Sequence, residues 1–586
     1  MKPLPKSSLW LIGITAGAFL VTLLSPQTSW IVRHELQSFE SPIPNYTDPT
    51  FDRETVEAAG RCPDDVDIQI WRAWMTRLNV QDRSPNSTDG TKLQIDAFHS
   101  VEQVFPDSPA VLANVCRAEL QMINHYDVEW NPQEQAWNDA ADSKAAPSRL
   151  GASKDTSFEV TDAATDIIRT ATKGEMLDPT NAYFPTVLAV AYDAEHDDQT
   201  AISCLLSASH DNQWREYLVE QVFGGWKAIK TTDGYLNGVE VTEVNASVLL
   251  PEYSAIRSVA RSAVWQAAAS ESGGKIERGE QIRHALMHVG ALMRSQSTYA
   301  IGSLVGIAVG NLAMRRPGDS SEQSANESST ESSAEHRLWT LRTYVRYLQT
   351  HGYTAEAQWV ELNDSAGVDA RKSISTLPKV MAPYLTRCLA DSFFIMVGWL
   401  CLSWASCFVL FGCLLKLIEE LKCISTTDKS MPSIAAKYII CVLGIALAAG
   451  AAANICRSFD LVQQYSSIAW IYDMNDTVNT SDGTAYVFRA IAAGPLAIGG
   501  VLLAVRMLSG KNRVVMRIFN GIARALLPLV CGFLIGYCCL VVLQSSEDRV
   551  LNQGLSTMVS QGEAQYVAKV SGNEWPGLVP ETAEVK

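Results

Sequence analysis

Basic residues are scarce in this chain. Its 586 residues include 47 Lys and Arg against 63 Asp and Glu, a formal net charge of −16. A nucleic-acid-binding surface needs clustered positive charge to meet phosphates, so this balance excludes nucleic acid as a partner. Catalytic signatures are missing too. There is no GxxxxGK[ST] loop to cradle nucleotide phosphates, no GxSxG elbow to present a serine and no HExxH pair to hold a metal on a helix. His284 and His288 stand four apart on a helical pattern, but no carboxylate at a recognisable spacing completes the pair. The loop DMNDTVNTSDG, with Asp473, Asn475, Asp476 and Asp482, lacks the sixth-position Gly and the terminal Glu of a calcium loop. The sequence therefore predicts no enzyme activity, no catalytic residue, no metal and no cofactor.

Charge is also missing from four apolar runs, 392–415, 438–455, 485–505 and 525–543, apart from Arg489 near one end of its run. Each is close to the ~20 residues that a helix needs to cross the hydrocarbon core of a bilayer. Lipid demands uncharged side chains on a backbone that pairs with itself. The runs therefore predict an integral membrane protein, placed here in the cytoplasmic membrane of a bacterium. Pumps and ion-coupled transporters usually place Asp, Glu, Lys or His inside their spans. These runs instead carry small residues four apart: Gly444/Ala448, Ala449/Ala453, Ala493/Ala497 and Gly532/Gly536. Such faces let helix backbones meet, within a bundle or between copies in a homo-oligomer.

A fifth apolar run, 9–24, follows Lys2 and Lys6 and carries Gly13/Gly17 at the same spacing. It fits a signal anchor or a removed secretory signal, and the lack of a small-x-small site after Leu24 favours the anchor. With the N-terminus inside, the loops alternate in charge as the positive-inside bias requires. Lys416, Lys422, Lys429 and Lys437 fall inside. The loop 456–484, with Arg457 beside four Asp, falls outside. Arg506, Lys511, Arg513, Arg517 and Arg524 fall inside again. Counting the apolar stretch 298–314 as a span would invert all three loops, so it is expected to be a buried helix packed through Gly302, Gly306 and Gly310.

A mean hydropathy of +0.02 is low for a pure membrane bundle, so a large polar portion must dilute the spans. In that portion Cys62-Pro63-Asp64-Asp65, Phe105-Pro106-Asp107-Ser108 and Asp178-Pro179-Thr180-Asn181 each precede an apolar-periodic run, a helix-start signature. The first two prolines are about 43 residues apart and the next gap is longer by about 30. A polar insertion over 125–156 accounts for the excess, which suggests a repeat of helix pairs with one interrupted copy. Further helices are expected near 212–229, 246–270, 275–295 and 336–350. A disordered Ser/Glu-rich linker is expected over 315–335.

The run NAYFPTVLAVAYDAEHDDQTAISCLLSAS, 181–209, resembles a tetratricopeptide repeat. Leu188, Ala189, Tyr192, Ala201, Leu205 and Ala208 stand at that repeat's large-small-aromatic and small-large-small positions. Pro185 replaces the usual first aromatic, and His196 stands where Gly usually makes the turn. The match covers about 30 residues, and the earlier copies match loosely. The resemblance implies a helix-pair scaffold that binds peptides or proteins.

The expected chain is all-α: an anchor at 1–24, a linker at 25–50, an exported helical repeat-like domain at 51–314 and the linker at 315–335. A helical connector at 336–390, a transmembrane helix bundle at 391–544 and an exported tail at 545–586 complete it. Cys62, Cys116 and Cys204 lie in the exported portion, where one disulfide is permitted. The functional expectation is a membrane-anchored interaction scaffold touching membrane lipid and a protein partner. The alternative is a channel, transporter or transport-complex subunit with an exported regulatory domain.

Overall fold

A computed structural model describes residues 6–24, 49–81, 89–126, 158–234, 236, 238–248, 250–316, 330–384, 387, 401, 404, 405, 409 and 513–580. Among these residues every regular element is a helix, and the chain divides into two compact units. One comprises residues 46–232, 244–381 and 555–586; the other comprises 1–45, 233–243 and 382–554.

The larger unit is a succession of antiparallel helix pairs: α2 (Pro49–Arg61), α3 (Val66–Gln81), α4 (Asp89–Val104), α5 (Pro109–Tyr126), α6 (Phe158–Leu177), α7 (Tyr183–Ala194) and α8 (Asp198–Ala208). Each packs on the next in sequence, the nearest-neighbour pattern of helical repeats. The three Pro-containing starts behave as their residues dictate. Asp65 accepts from the Asp67 and Ile68 amides, Ser108 from Val111 and Asn181 from Tyr183, which satisfies donors that a helix start leaves open. In the α7–α8 turn His196 adopts φ 63°, a left-handed conformation that favours glycine, and Asp197 then caps α8.

The next helix starts later than its apolar pattern suggests. Residues 212–217 are not helical: the Ala182 amide donates to Gln213 O at 2.9 Å and the Gln213 amide to Thr180 O at 3.1 Å. Tyr217, at φ 56°, then turns the chain into α9 (Leu218–Asp233). After α10 (Gly238–Ala246), Pro251 opens α11 (Pro251–Ser272), which packs across α5, α7 and α8. α12 (Ile276–Gln296) and α13 (Ala300–Ala313) follow as the most intimate helix pair. A Cβ at Gly306 would stand 2.5 Å from Gly290 O and 2.6 Å from Arg294 N, so backbone meets backbone there. Gly310 joins the contact through its backbone, with its N 3.0 Å from a Cβ placed at Gly290, while a Cβ on Gly310 itself would have nothing within 4 Å. Ile301 and Leu304 are exposed, so α13 buries one face only.

Three expectations for the rest of this unit are corrected. Helix α14 (Thr330–Thr350) already covers 330–335, which the Ser/Glu composition assigned to a linker. It is also not the last helix of the unit. Gly352, at φ 88°, reverses the chain into α15 (Thr354–Ile374), which packs back on α14. Nor is 545–586 a plain tail. Helix α16 (Arg513–Gln561) runs on past Gln544, and α17 (Glu563–Val570) packs on α13 and α15. There Glu563 accepts from the Ala300 amide at 2.8 Å, and Trp575 Nε1 donates to Ser295 O at 3.1 Å. Leu578 and Val579 lie against the main core.

One core cluster draws on α5 to α8, on Trp214 and on α11 to α15. At its centre is a buried polar knot. Arg117 donates to Glu252 Oε1 at 2.7 Å, to Asn114 Oδ1 at 2.7 Å and to the Glu216 carbonyl. The Glu216 carboxylate accepts from Trp214, Tyr253 and Ser297 at 2.6, 2.8 and 2.7 Å. Burial raises the Glu216 pKa, with the neighbouring Glu252 adding to it. One arginine thus ties α5, α11 and the 212–217 segment together, and truncating it would leave buried carboxylates uncompensated.

In the smaller unit, α1 (Lys6–Leu24) packs Ala18 and Phe19 against Tyr537, Cys538 and Val541 of α16. Asp548 accepts from the Gly238 amide at 2.7 Å, Arg387 pairs with Glu547, and the Tyr384 ring lies on Gly554. Among the described residues one helical stretch, Pro528–Gln561, is long and apolar enough to cross a membrane. It contains most of the predicted run 525–543 and starts at a proline inside α16. The runs 438–455 and 485–505 lie outside the described residues, as do most of 392–415, nearly all of the insertion 125–156 and the acidic loop 473–482.

Candidate functional site

Among the described residues, chemistry-bearing side chains converge most closely where α4, α5 and α6 meet. His99 on α4, Glu119 on α5 and Asp166 on α6 each present one ligand atom, all within 4.8 Å of one another. His99 Nε2 is 3.3 Å from Glu119 Oε1 and 3.8 Å from Asp166 Oδ2. Its Nδ1 lies 3.3 Å from Glu102 Oε2, one helical turn along α4. Arg169 closes the arrangement. It donates to both Glu102 oxygens at 2.7 and 3.1 Å, and its Nε lies 3.5 Å from Asp166 Oδ1.

Local geometry explains the convergence. Residues three apart on a helix share a face, so His99/Glu102 and Asp166/Arg169 each present a pair toward the same groove. Glu119 is 3 % exposed and comes from α5, whose other buried positions mix apolar core residues with Asn114, Arg117 and Gln121. The electrostatics follow. The hydrogen bond to Glu119 raises the His99 pKa, against burial, with Glu102 assisting. Burial raises Glu119. Burial alone would raise Glu102 too, but the bonds from Arg169 and His99 prevail and hold it below the usual carboxylate range.

Two chemical states suit these residues. With His99 protonated, the cluster is an ion-pair lock that fastens three successive helices. With His99 neutral, three carboxylates and one guanidinium leave a formal −2, which a divalent cation would balance. His99 Nε2, Glu119 and Asp166 would be its ligands, while Glu102 on Nδ1 would fix the imidazole as carboxylates do behind metal-bound histidines. The cation would have to displace the proton on Nε2.

The histidine pair noted in the sequence behaves differently. His284 Nδ1 is 2.6 Å from Glu356 Oε1, and His288 Nε2 is 2.9 Å from Asp211 O. Each ring engages a different segment, and the two share no ligand set. Of the repeat positions, Leu188, Ala189, Ala201, Leu205 and Ala208 are buried and Tyr192 is half-buried beside the core. α7 and α8 pack on each other. Gly17 and Gly532 face open space, and a Cβ at Gly536 would lie 3.8 Å from Cys401 Sγ. Gly13 lies in α1, while Gly444 and Ala448 are outside the described residues. Cys62, Cys116 and Cys204 are free thiols, so the permitted disulfide is not formed. Cys116 is enclosed in the core, and burial pushes the Cys204 thiol up to about 11.

No family model matches the chain, and no curated protein or solved structure matches it.

Proposed function

We propose that this chain is a membrane-tethered interaction scaffold: an exported unit of helix pairs held by one N-terminal and four C-terminal spans. The observation that carries the reading is the return of the C-terminus. Residues 244–381 and 555–586 belong to the same compact unit, so the chain leaves it after Met381 and re-enters it at Leu555 on one side of any membrane. A chain that leaves and re-enters on one side must cross an even number of times. α16 supplies one crossing, and the apolar runs 392–415, 438–455 and 485–505 supply three more. Four is even, whereas α16 alone would leave one folded unit on both faces of a bilayer.

Loop charge then sets the N-terminus inside and the helical unit outside. Helix pairs that pack mainly on their neighbours form extended surfaces suited to proteins or peptides. The tetratricopeptide-like pair α7–α8 belongs to that series, and the His99 cluster serves to fasten it. The test is impermeant crosslinking of the full-length chain in intact membranes. Discrete adducts through the outer unit are expected. Substrate-dependent solute flux in liposomes, with no adduct, would assign the chain to transport instead.

A further inference from the structure

Helices α12, α13, α14 and α15 enclose a cleft whose empty volume, solvent mouth included, is about 420 Å³. Gly290, Gly306 and Gly310 line it together with Met287 and Ile307. Its polar lining is cationic: Arg294, Arg337 and Arg371 stand around it with one carboxylate, Asp364.

The three arginines differ in what holds them. Arg337 is paired with Asp364, with Nη1 donating to both oxygens, one at 2.6 Å. Arg371 is exposed and makes no ion pair among the described residues; partial desolvation lowers its pKa and the like charge of Arg337 lowers it further, against the opposing charge of Asp364. Arg294 is the unusual one. It is 2 % exposed, and its contacts are all neutral: Asn363 O at 3.1 Å, Asn363 Oδ1 at 2.6 Å and Gly577 O at 3.4 Å. Its Nε is buried with no acceptor. No carboxylate contributes to its ionisation, and burial alone pulls its pKa down to about 10. A buried guanidinium without a counter-charge is costly, and proteins rarely keep one unless an anion completes it.

Three guanidinium groups against one carboxylate leave a formal +2. We propose that this cleft binds a small dianionic oxyanion of the phosphate class, with Arg294 as the buried anchor and Arg371 at the mouth. Guanidinium forks match the oxygens of tetrahedral anions, and the side-chain amide of Asn311 on the wall adds a neutral donor. Free phosphate and the phosphate end of a small metabolite share this chemistry. The site lies in the proposed exported unit but does not depend on the scaffold reading, because its residues and its test concern this unit alone.

The experiment uses the full-length chain in detergent, with thermal unfolding followed at increasing inorganic phosphate and ionic strength held constant with chloride. A ligand that binds the folded state raises the melting temperature with a saturable dependence on its concentration. Saturable stabilisation by phosphate and none by chloride is the expected result. Arg371→Gln, an exposed change that leaves the fold intact, should weaken the apparent affinity about tenfold, the equivalent of one lost charged contact. Arg294→Met should remove the phosphate dependence altogether while the variant still unfolds cooperatively. Tighter retention of glucose 6-phosphate than of phosphate would identify a phosphorylated metabolite as the source. Equal shifts with chloride, or an unchanged phosphate response in Arg371→Gln, would overturn the proposal. So would phosphate binding that appears only when the chain is truncated after Pro580, which would give the cleft to the chain's own acidic C-terminus.

Discussion

The α12–α13 contact allows one substitution to be tried at two places with opposite expected signs. Gly306→Ala and Gly310→Ala make the same chemical change one turn apart on α13. Each gains about 1 kcal/mol from helix propensity, since alanine loses less backbone freedom than glycine. At Gly310 nothing lies within 4 Å of the new methyl, so the gain should stand. At Gly306 the methyl would meet Gly290 O at 2.5 Å, Arg294 N at 2.6 Å and Met293 Cβ at 2.8 Å. Two of these atoms are backbone and cannot swing aside, so the helices must separate, and overpacking of this kind costs about 1–3 kcal/mol or more. Gly306→Ala should therefore lower stability by up to about 2 kcal/mol, leaving the two variants about 1–3 kcal/mol apart. For a unit of this size each kcal/mol moves the melting temperature by about 1–2 °C. Intrinsic fluorescence reports on this unit, because Trp71, Trp214 and Trp359 are all enclosed in it. Equal melting temperatures for the two variants would refute the backbone contact between α12 and α13.

Three more outcomes follow from single features. His196→Gly should stabilise the unit by about 1 kcal/mol in thermal melts, because glycine relieves the left-handed φ of 63° at the α7–α8 turn. The His99 cluster should make stability depend on pH in a definite direction. His99 has a raised folded pKa, so its contribution is complete below its unfolded value of about 6.5 and is lost as pH rises through the folded one. Glu102 has a lowered pKa, so its contribution is present above about 4.5 and fades in acid; His99→Gln should flatten the alkaline limb in pH-dependent melts. Calorimetric titration with Zn²⁺ should release about one proton per ion and bind more tightly at pH 8 than at pH 6. Asp166→Asn should weaken that binding, and heat that is the same in His99→Gln would show that the ion binds elsewhere.

What was legible in the sequence was local. The starts of α3, α5 and α7 could be read because a proline and a capping side chain stand within four residues of each helix. The all-α class followed from periodicity. The misreadings share a different cause. The late start of α9 depends on residues 180–182 pairing with Gln213, a contact no local pattern encodes. Helix α15 is not legible as a separate helix because its apolar positions are interrupted by Glu361, Asn363 and Asp364, two of which line the arginine-rich cleft. The segment after Gln544 looked like a tail because the partners of Glu563 and Trp575 lie more than 260 residues earlier. The His99 cluster is illegible for the same reason. Its side chains come from three helices, and His99 and Glu119 are already 20 residues apart, so no spacing on one helix betrays them.

The central claim is that one folded unit is entered from both ends on one side of a membrane. It is tested most directly by the sidedness of its two flanks. Single cysteines introduced near residue 320, between α13 and α14, and at the C-terminal Lys586 would be probed in intact cells with an impermeant thiol reagent. A third, near residue 511 ahead of α16, serves as the inside control. Labelling at 320 and 586 with protection at 511 is the predicted result. Labelling at only one of 320 and 586 would mean an odd number of crossings between them, and would contradict the account.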